Sequence, residues 1–145
     1  MELYATSPFL IPNKYVLGFM FNPALSRVAL IKKNHPPWQA GKLNGIGGKI
    51  DGEETAEQAM VREFKEETGT RTLEKDWRQF CVMNCTGTNI YCFTAVGDIY
   101  KLRNVTAEHI EIRNVEIMGC YNVIPNLRWL IPMALDHAVS AYVWI

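Results

Sequence analysis

The sequence predicts a mixed α/β sandwich, and the order of its elements is what predicts it. Strand-like apolar runs come first, then one well-capped helix at residues 55–68, then three more strand candidates and a closing amphipathic segment. That order suits helices packed on a mixed sheet better than the regular alternation of a doubly wound one. The length supports a single core: 145 residues, 48% of them hydrophobic, with no internal repeat, low-complexity tract or linker to divide them. Residues 1–145 are therefore read as one domain.

The first element is the aromatic and aliphatic run at 15–21. It is followed by the turn-forming Asn22-Pro23-Ala24-Leu25-Ser26 and a second apolar run at 28–31, which together read as a β-hairpin. Paired prolines make Asn34-His35-Pro36-Pro37 a loop, since proline breaks both ladders and helices. The Gly-rich stretch 41–52 carries short strand-like pieces around Leu43 and Lys49-Ile50. The helix at 55–68 opens on a capping-box pattern, Thr55 with Gln58, and Gly69 stands where a left-handed C-cap belongs. Strand candidates follow at 77–84, 90–96 and 111–118. The chain then places Leu127, Leu130, Ile131, Ala134, Leu135, Ala138 and Tyr142 at helical spacing, with Pro132 interrupting.

Charge and cysteine usage narrow the function classes. Fifteen basic and fifteen acidic residues give a net charge of zero, which argues against a nucleic-acid polymer as partner. Cys81, Cys85, Cys92 and Cys120 form no CxxC pair and have no histidine at zinc-finger spacing, so they read as free thiols of a cytoplasmic protein. The opening MELYATSPFLIPNKY lacks the basic and apolar regions of a secretory signal, and no apolar run approaches the ~20 residues that span a bilayer.

The chemistry is concentrated in residues 48–70, GKIDGEETAEQAMVREFKEETGT. On a helical wheel Ala56, Ala59 and Met60 share a face with Glu63, Glu66 and Glu67. A merely solvated acidic face lies opposite the apolar stripe, whereas this one extends it, so the three carboxylates are expected to point toward the protein body. Like charges at i, i+3 and i+4 repel, and burial raises the cost. Arg62, near Glu66, is expected to neutralise only one charge, and Lys65 lies on the wrong side. A hard divalent cation suits such a cluster, with Mg²⁺ first and Mn²⁺ as an alternative. The competing reading is a surface helix with scattered ion pairs.

The wider spacing resembles the Nudix hydrolases, whose signature is G-x5-E-x7-R-E-U-x-E-E-x-G-U with U aliphatic. Gly48, Glu54, Arg62, Glu63, Glu66, Glu67 and Gly69 match all seven fixed letters. Chance agreement at one register is on the order of 10⁻⁹ at average residue frequencies. Phe64 and Thr70 depart from the two aliphatic positions, and both are packing positions. The resemblance implies an α/β/α sandwich around a mixed sheet and Mg²⁺-dependent hydrolysis of a nucleoside diphosphate linked to another moiety. It implies Glu63, Glu66, Glu67 and the carbonyl of Gly48 as metal ligands, with Arg62 and Glu54 bracing the loop by a charge-assisted hydrogen bond. A small nucleotide is the expected partner, and the assembly a monomer or homodimer.

The general base is left between a glutamate of this helix and one in TAEHIEIRNVEIM, where Glu111 is preferred over Glu108 and His109 is a neighbour. Lys49, after Gly47-Gly48, is a phosphate-binding candidate. LNGIGGKIDGEE looks like the MutT-type branch, especially enzymes that cleave oxidised purine nucleoside triphosphates to NMP and pyrophosphate. In that resemblance Asn44 would bond the base, and Asn126 and Trp129 in PNLRWLIP are further substrate-binding candidates, with Trp38 a stacking candidate. Each has a local alternative: Asn44 as a turn former, Asn126 as a helix N-cap, and Trp129 and Trp38 as packing residues. ADP-ribose or a dinucleotide is the alternative substrate, and a non-catalytic Nudix nucleotide-binding module the alternative class.

Overall fold

Side chains of Asn13–Phe21 (β1) alternate between two cores, and this period of two organises the molecule. The structure, a computed structural model, describes residues 12–145, so the reading of the chain's start as lacking a signal lies largely outside the described residues. Val16 and Met20 face one core with Ala59, Met60 and Phe64, while Leu17, Phe19 and Phe21 face another with Leu127, Leu130 and Ile131. The first core sits under the helix Ala56–Thr68 (α1) and the second under the helix Leu127–Leu135 (α2). The result is the α/β/α sandwich expected.

The other strands are Arg27–Lys32 (β2), Leu43–Asn44 (β3), Ile46–Lys49 (β4), Arg78–Cys85 (β5), Thr88–Val96 (β6), Ile110–Asn114 (β7) and Ala141–Trp144 (β8). They form one mixed sheet in the order β3-β2-β1-β6-β5-β8, with β4 also on β1 and β7 on β2. β1 runs parallel to β6 along its whole length. The expected hairpin is real but short: β1 and β2 pair at Met20–Ala29 and Phe21–Val28. Below that point β4 takes the same edge, placing Gly48 opposite Val16 and Gly47 opposite Leu17.

α1 begins and ends as its sequence dictates. Thr55 Oγ1 accepts from the Gln58 N–H, Gln58 Oε1 accepts from the Thr55 N–H, and Gly69 closes the helix at φ 73°. Two expectations need correction. The strand expected at 111–118 is β7 only as far as Asn114, and the chain then tightens into 3₁₀ turns over Val115–Cys120. The closing helix passes through Pro132 but stops at Leu135, so Ala138 and Tyr142 lie outside it. Ala141–Trp144 instead pairs in parallel with β5, Tyr142 opposite Val82. A four-residue run carries too little periodicity to separate strand from helix, and a free sheet edge decided it. The four cysteines are free thiols, and no helix among the described residues is long and apolar enough to cross a membrane.

Candidate active site

Arg62 is the electrostatic hub of the helix. Its Nε and Nη2 donate to the two oxygens of Glu54 at 2.7 and 2.8 Å, the bidentate geometry in which arginine and carboxylate pair best. Nη2 also donates to the Lys49 carbonyl at 3.0 Å, so one guanidinium ties α1 to the 49–54 loop. Nη1 reaches Glu63 at 3.0 Å and Glu66 at 3.3 Å. With Asp51 at 3.5 Å from Nη2, Arg62 therefore meets four carboxylates, two more than the Glu54 and Glu66 contacts expected, because its fork presents five donors in fixed directions. The Glu54 carboxyl is held below its usual range chiefly by these Arg62 hydrogen bonds. Arg62 itself is shifted upward, first by Glu54.

The acidic stripe divides. Glu63 and Glu67 are half-buried and face a cleft of about 440 Å³ between α1 and the 104–109 loop. Glu66 is 57% exposed at its side chain and turns toward Arg62 and solvent, which corrects its expected inward orientation. It stands roughly 120° around the helix from Met60, the centre of the buried face, which places it on the rim. Burial pushes both cleft carboxyls upward: Arg62 opposes this at Glu63, and Lys33 at Glu67. The nearest hydrogen-bonding group to the Glu67 carboxylate among the described residues is Thr106 Oγ1, at 3.5 Å.

Gly48 lies directly against Glu63, whose carboxylate fills the space a Cβ would need. Gly47 has the Val16 carbonyl in that space. These two glycines line both the acidic cleft and a second cavity of about 270 Å³, and Lys33 and His35 do the same. The second cavity is walled by Leu17, Met83, Ile90 and Ile124, and its polar groups include Asn44, Gln39 and Asn126. With no side chains on β4 at this point, an apolar pocket and an acidic cleft meet.

Asn44 and Asn126 are thus brought together, in different states. Asn44 Oδ1 accepts from the Gly45 N–H at 2.8 Å and its Nδ2 donates to Gln39 Oε1 at 3.2 Å, so the turn-forming reading of Asn44 has a basis. Asn126 makes no side-chain cap, and its Nδ2 has only Met83 Sδ at 3.6 Å. Its Oδ1 is buried without a partner, an acceptor facing a cost unless a ligand donates to it. Trp38 lies at the pocket mouth, 61% exposed.

Three expected residues fall elsewhere. Lys49 is exposed at the end of β4 and lines neither cavity, because the strand's pleat turns it from the face that Gly48 presents. Trp129 is on α2 outside both cavities. Glu111 pairs with Arg113 and lines a separate hollow beside Tyr121, since Ile110 and Ile112 take the α1-side face of β7 and alternation sends Glu111 to the other. Glu108 is the loop glutamate in the cleft. It is buried, which alone would raise its pKa, but the Asn34 N–H and Lys33 outweigh burial and leave it below the usual range. Sequence reasoning missed Lys33, His35 and Gln39 altogether; their proximity to the loop prolines was the only local signal.

Among the described residues, no three His, Cys, Asp or Glu side chains converge as a finished metal site. The donor set nonetheless fits a hard cation: two half-buried carboxylates lie in one cleft, Glu67 among them with no cation hydrogen-bonded to it.

The NUDIX domain family matches residues 12–119. Among solved structures, the chain is similar to the Nudix domain of Shewanella oneidensis NrtR complexed with ADP ribose, at 18% identity and TM-score 0.72 over 88% of this chain and 90% of that one. It is similar to the MutT protein of Bacillus halodurans at 18% identity and TM-score 0.72, over 90% and 86% of the two chains. The MutT protein of Methanosarcina mazei aligns at 21% identity and TM-score 0.64, over 87% and 94%. No curated protein matches the chain by sequence. At these identities the structural likeness establishes the fold.

Proposed function

The chain belongs to the Nudix family of pyrophosphohydrolases, and from that premise we propose that it hydrolyses a nucleoside triphosphate to NMP and pyrophosphate with Mg²⁺, an oxidised purine being the preferred base. The observation that carries this reading is the apolar pocket opening onto the acidic cleft across Gly47 and Gly48. A flat base suits the pocket, and a phosphate chain then passes over backbone that carries no side chains.

Glu63, Glu67 and the backbone of Gly48 line the cleft and would hold the cation, and Glu66, on the rim against Arg62, would join them by turning from that pair. Bound there, a divalent cation neutralises diphosphate oxygens and lowers the pKa of water. The chain's own residues supply the rest. Arg62 holds the loop and the helix in register through Glu54 and the Lys49 carbonyl. The proton-accepting role falls to a glutamate of α1, since Glu111 faces another hollow and Glu108 is occupied by hydrogen bonds. Asn126 offers its unpaired Oδ1 to a donor on the base edge, and Asn44 its second amide hydrogen.

A hydrolysis screen with and without Mg²⁺ tests this, using the (d)NTPs, 8-oxo-dGTP, ADP-ribose, NADH and dinucleoside polyphosphates, with products identified. Purine triphosphates should be the best substrates, and Glu67→Gln should lower kcat by roughly 10² or more while the protein still folds. Near-wild-type turnover of Glu67→Gln at limiting Mg²⁺ would overturn the metal assignment. Preference for ADP-ribose would move the substrate to the class bound by the NrtR domain. Tight binding without turnover would make the chain a nucleotide-binding module.

A further inference from the structure

The loop 33–39 contributes Lys33 and His35 to both cavities and Trp38 and Gln39 to the apolar one, yet it has proline at 36 and 37 and little ladder of its own. Backbone bonds tie Lys33 to Lys42 and Gly41 at its base, and the 34–35 stretch beyond them is held by Glu108, from a segment 75 residues away. Glu108 Oε1 accepts from Lys33 Nζ at 3.0 Å, and Oε2 accepts from the Asn34 N–H at 2.6 Å and the His35 N–H at 3.4 Å. Asn34 Nδ2 donates to the neighbouring Ala107 carbonyl at 3.1 Å, a further tie between the same two segments. Thr106 Oγ1 accepts from the Glu108 N–H at 3.2 Å, donates to its carbonyl at 3.1 Å, and sits 3.5 Å from Glu67 Oε2.

A carboxylate that is only 8% exposed and satisfied by one ammonium and two backbone N–H groups has little free lone-pair capacity in the cleft. Its position is fixed by partners on the opposite loop, and their position is fixed by it. We propose that Glu108 is a positioning residue: it anchors loop 33–39 across the junction of the two cavities and holds Lys33 where the phosphate chain leaves the base pocket. This rests on the nucleotide reading above and adds to it the element that sets the distance between base pocket and cleft. Lys33 is the group through which Glu108 acts on substrate, since its ammonium keeps two donors beyond the one given to Glu108.

The test pairs kinetics with hydrogen exchange on the whole chain, for Glu108→Gln and Lys33→Met. Glu108→Gln keeps the side chain's size and one acceptor but loses the ion pair. Both variants should raise KM for the preferred nucleotide about tenfold with kcat changed by less than about threefold, and the double variant should add little to either. The pH profile of kcat should keep its wild-type limbs. Without any nucleotide, amides 34 and 35 should exchange about tenfold faster in Glu108→Gln while β2 and α1 amides stay as protected as in wild type. A large loss of kcat at unchanged KM, with the acid limb of the profile gone, would make Glu108 the general base and overturn the proposal. Unchanged exchange at 34 and 35, or a rise spread over the whole chain, would also overturn it. If the wild-type protein hydrolyses no nucleotide, the function reading fails, and the exchange experiment still decides whether Glu108 is the anchor.

Discussion

At the scale of single residues, the arginine carries more than one carboxylate's worth of compensation. Arg62→Ala would leave Glu54 and Glu63 without the cation that offsets their burial, and would release the Lys49 carbonyl from its donor. Losing one partner of a buried pair costs about 3–5 kcal/mol, and with Arg62 28% exposed the cost here should be roughly 2–4 kcal/mol. Thermal denaturation reads it directly; an unchanged Tm would mean that Arg62 braces nothing. Asn126 makes the opposite case. Because its buried Oδ1 has no partner in the free protein, Asn126→Ala should leave the Tm nearly unaltered. It should nevertheless lower kcat/KM on purine triphosphates about tenfold to a hundredfold, with a smaller loss on pyrimidines, as a competition assay would show. An equal loss on all nucleotides would mark the residue as structural.

Among the elements, β4 is the one whose sequence serves the site and the sheet together. Gly47 faces the Val16 carbonyl closely enough that a Cβ would have to displace backbone, which cannot rotate away as a side chain can. Gly47→Ala should therefore open the β1–β4 pairing, cost about 1–3 kcal/mol or more, and narrow the passage between the cavities. Chemical denaturation and kcat/KM should fall together, whereas full activity in a stable variant would show that the passage has room. α1 was legible in outline because its caps are local: Thr55, Gln58 and Gly69 act within one turn of themselves. The run after Leu135 was not legible, because the pairing of Ala141 with Cys81 is a long-range choice.

For the molecule as a whole, its carboxylates set opposite pH dependences. Glu54 and Glu108 have folded-state values below the ordinary 4.5, so their stabilisation is present at neutral pH and is lost as pH falls through those lowered values. Glu63 and Glu67 are raised above 4.5, so their charged forms are disfavoured in the folded protein and protonation relieves that cost. With divalent cations chelated, the Tm should rise slightly as pH falls toward 4.5, then fall as pH passes below it. In Arg62→Ala the acid fall should be shallower, since the Glu54 contribution is already gone. A Tm that falls steadily from pH 7 would contradict the placement of Glu63 and Glu67 in a desolvated cleft.

The family and the capped helix were determined by the sequence alone. Each depends on spacings inside one segment: the seven matched signature positions and the cap residues. Only the tertiary structure decided which glutamate of the 104–114 segment enters the cleft. The register of Leu30 with Glu111 and the burial of Ile110 and Ile112 turn Glu111 away, while the loop before β7 brings Glu108 to Lys33 and Asn34. In the same way the unpaired Asn126 carbonyl acquires meaning only beside Met83 and the glycines of β4. A side chain's direction in a strand reverses with a shift of one residue, so no spacing within a segment can assign it before the strands have paired.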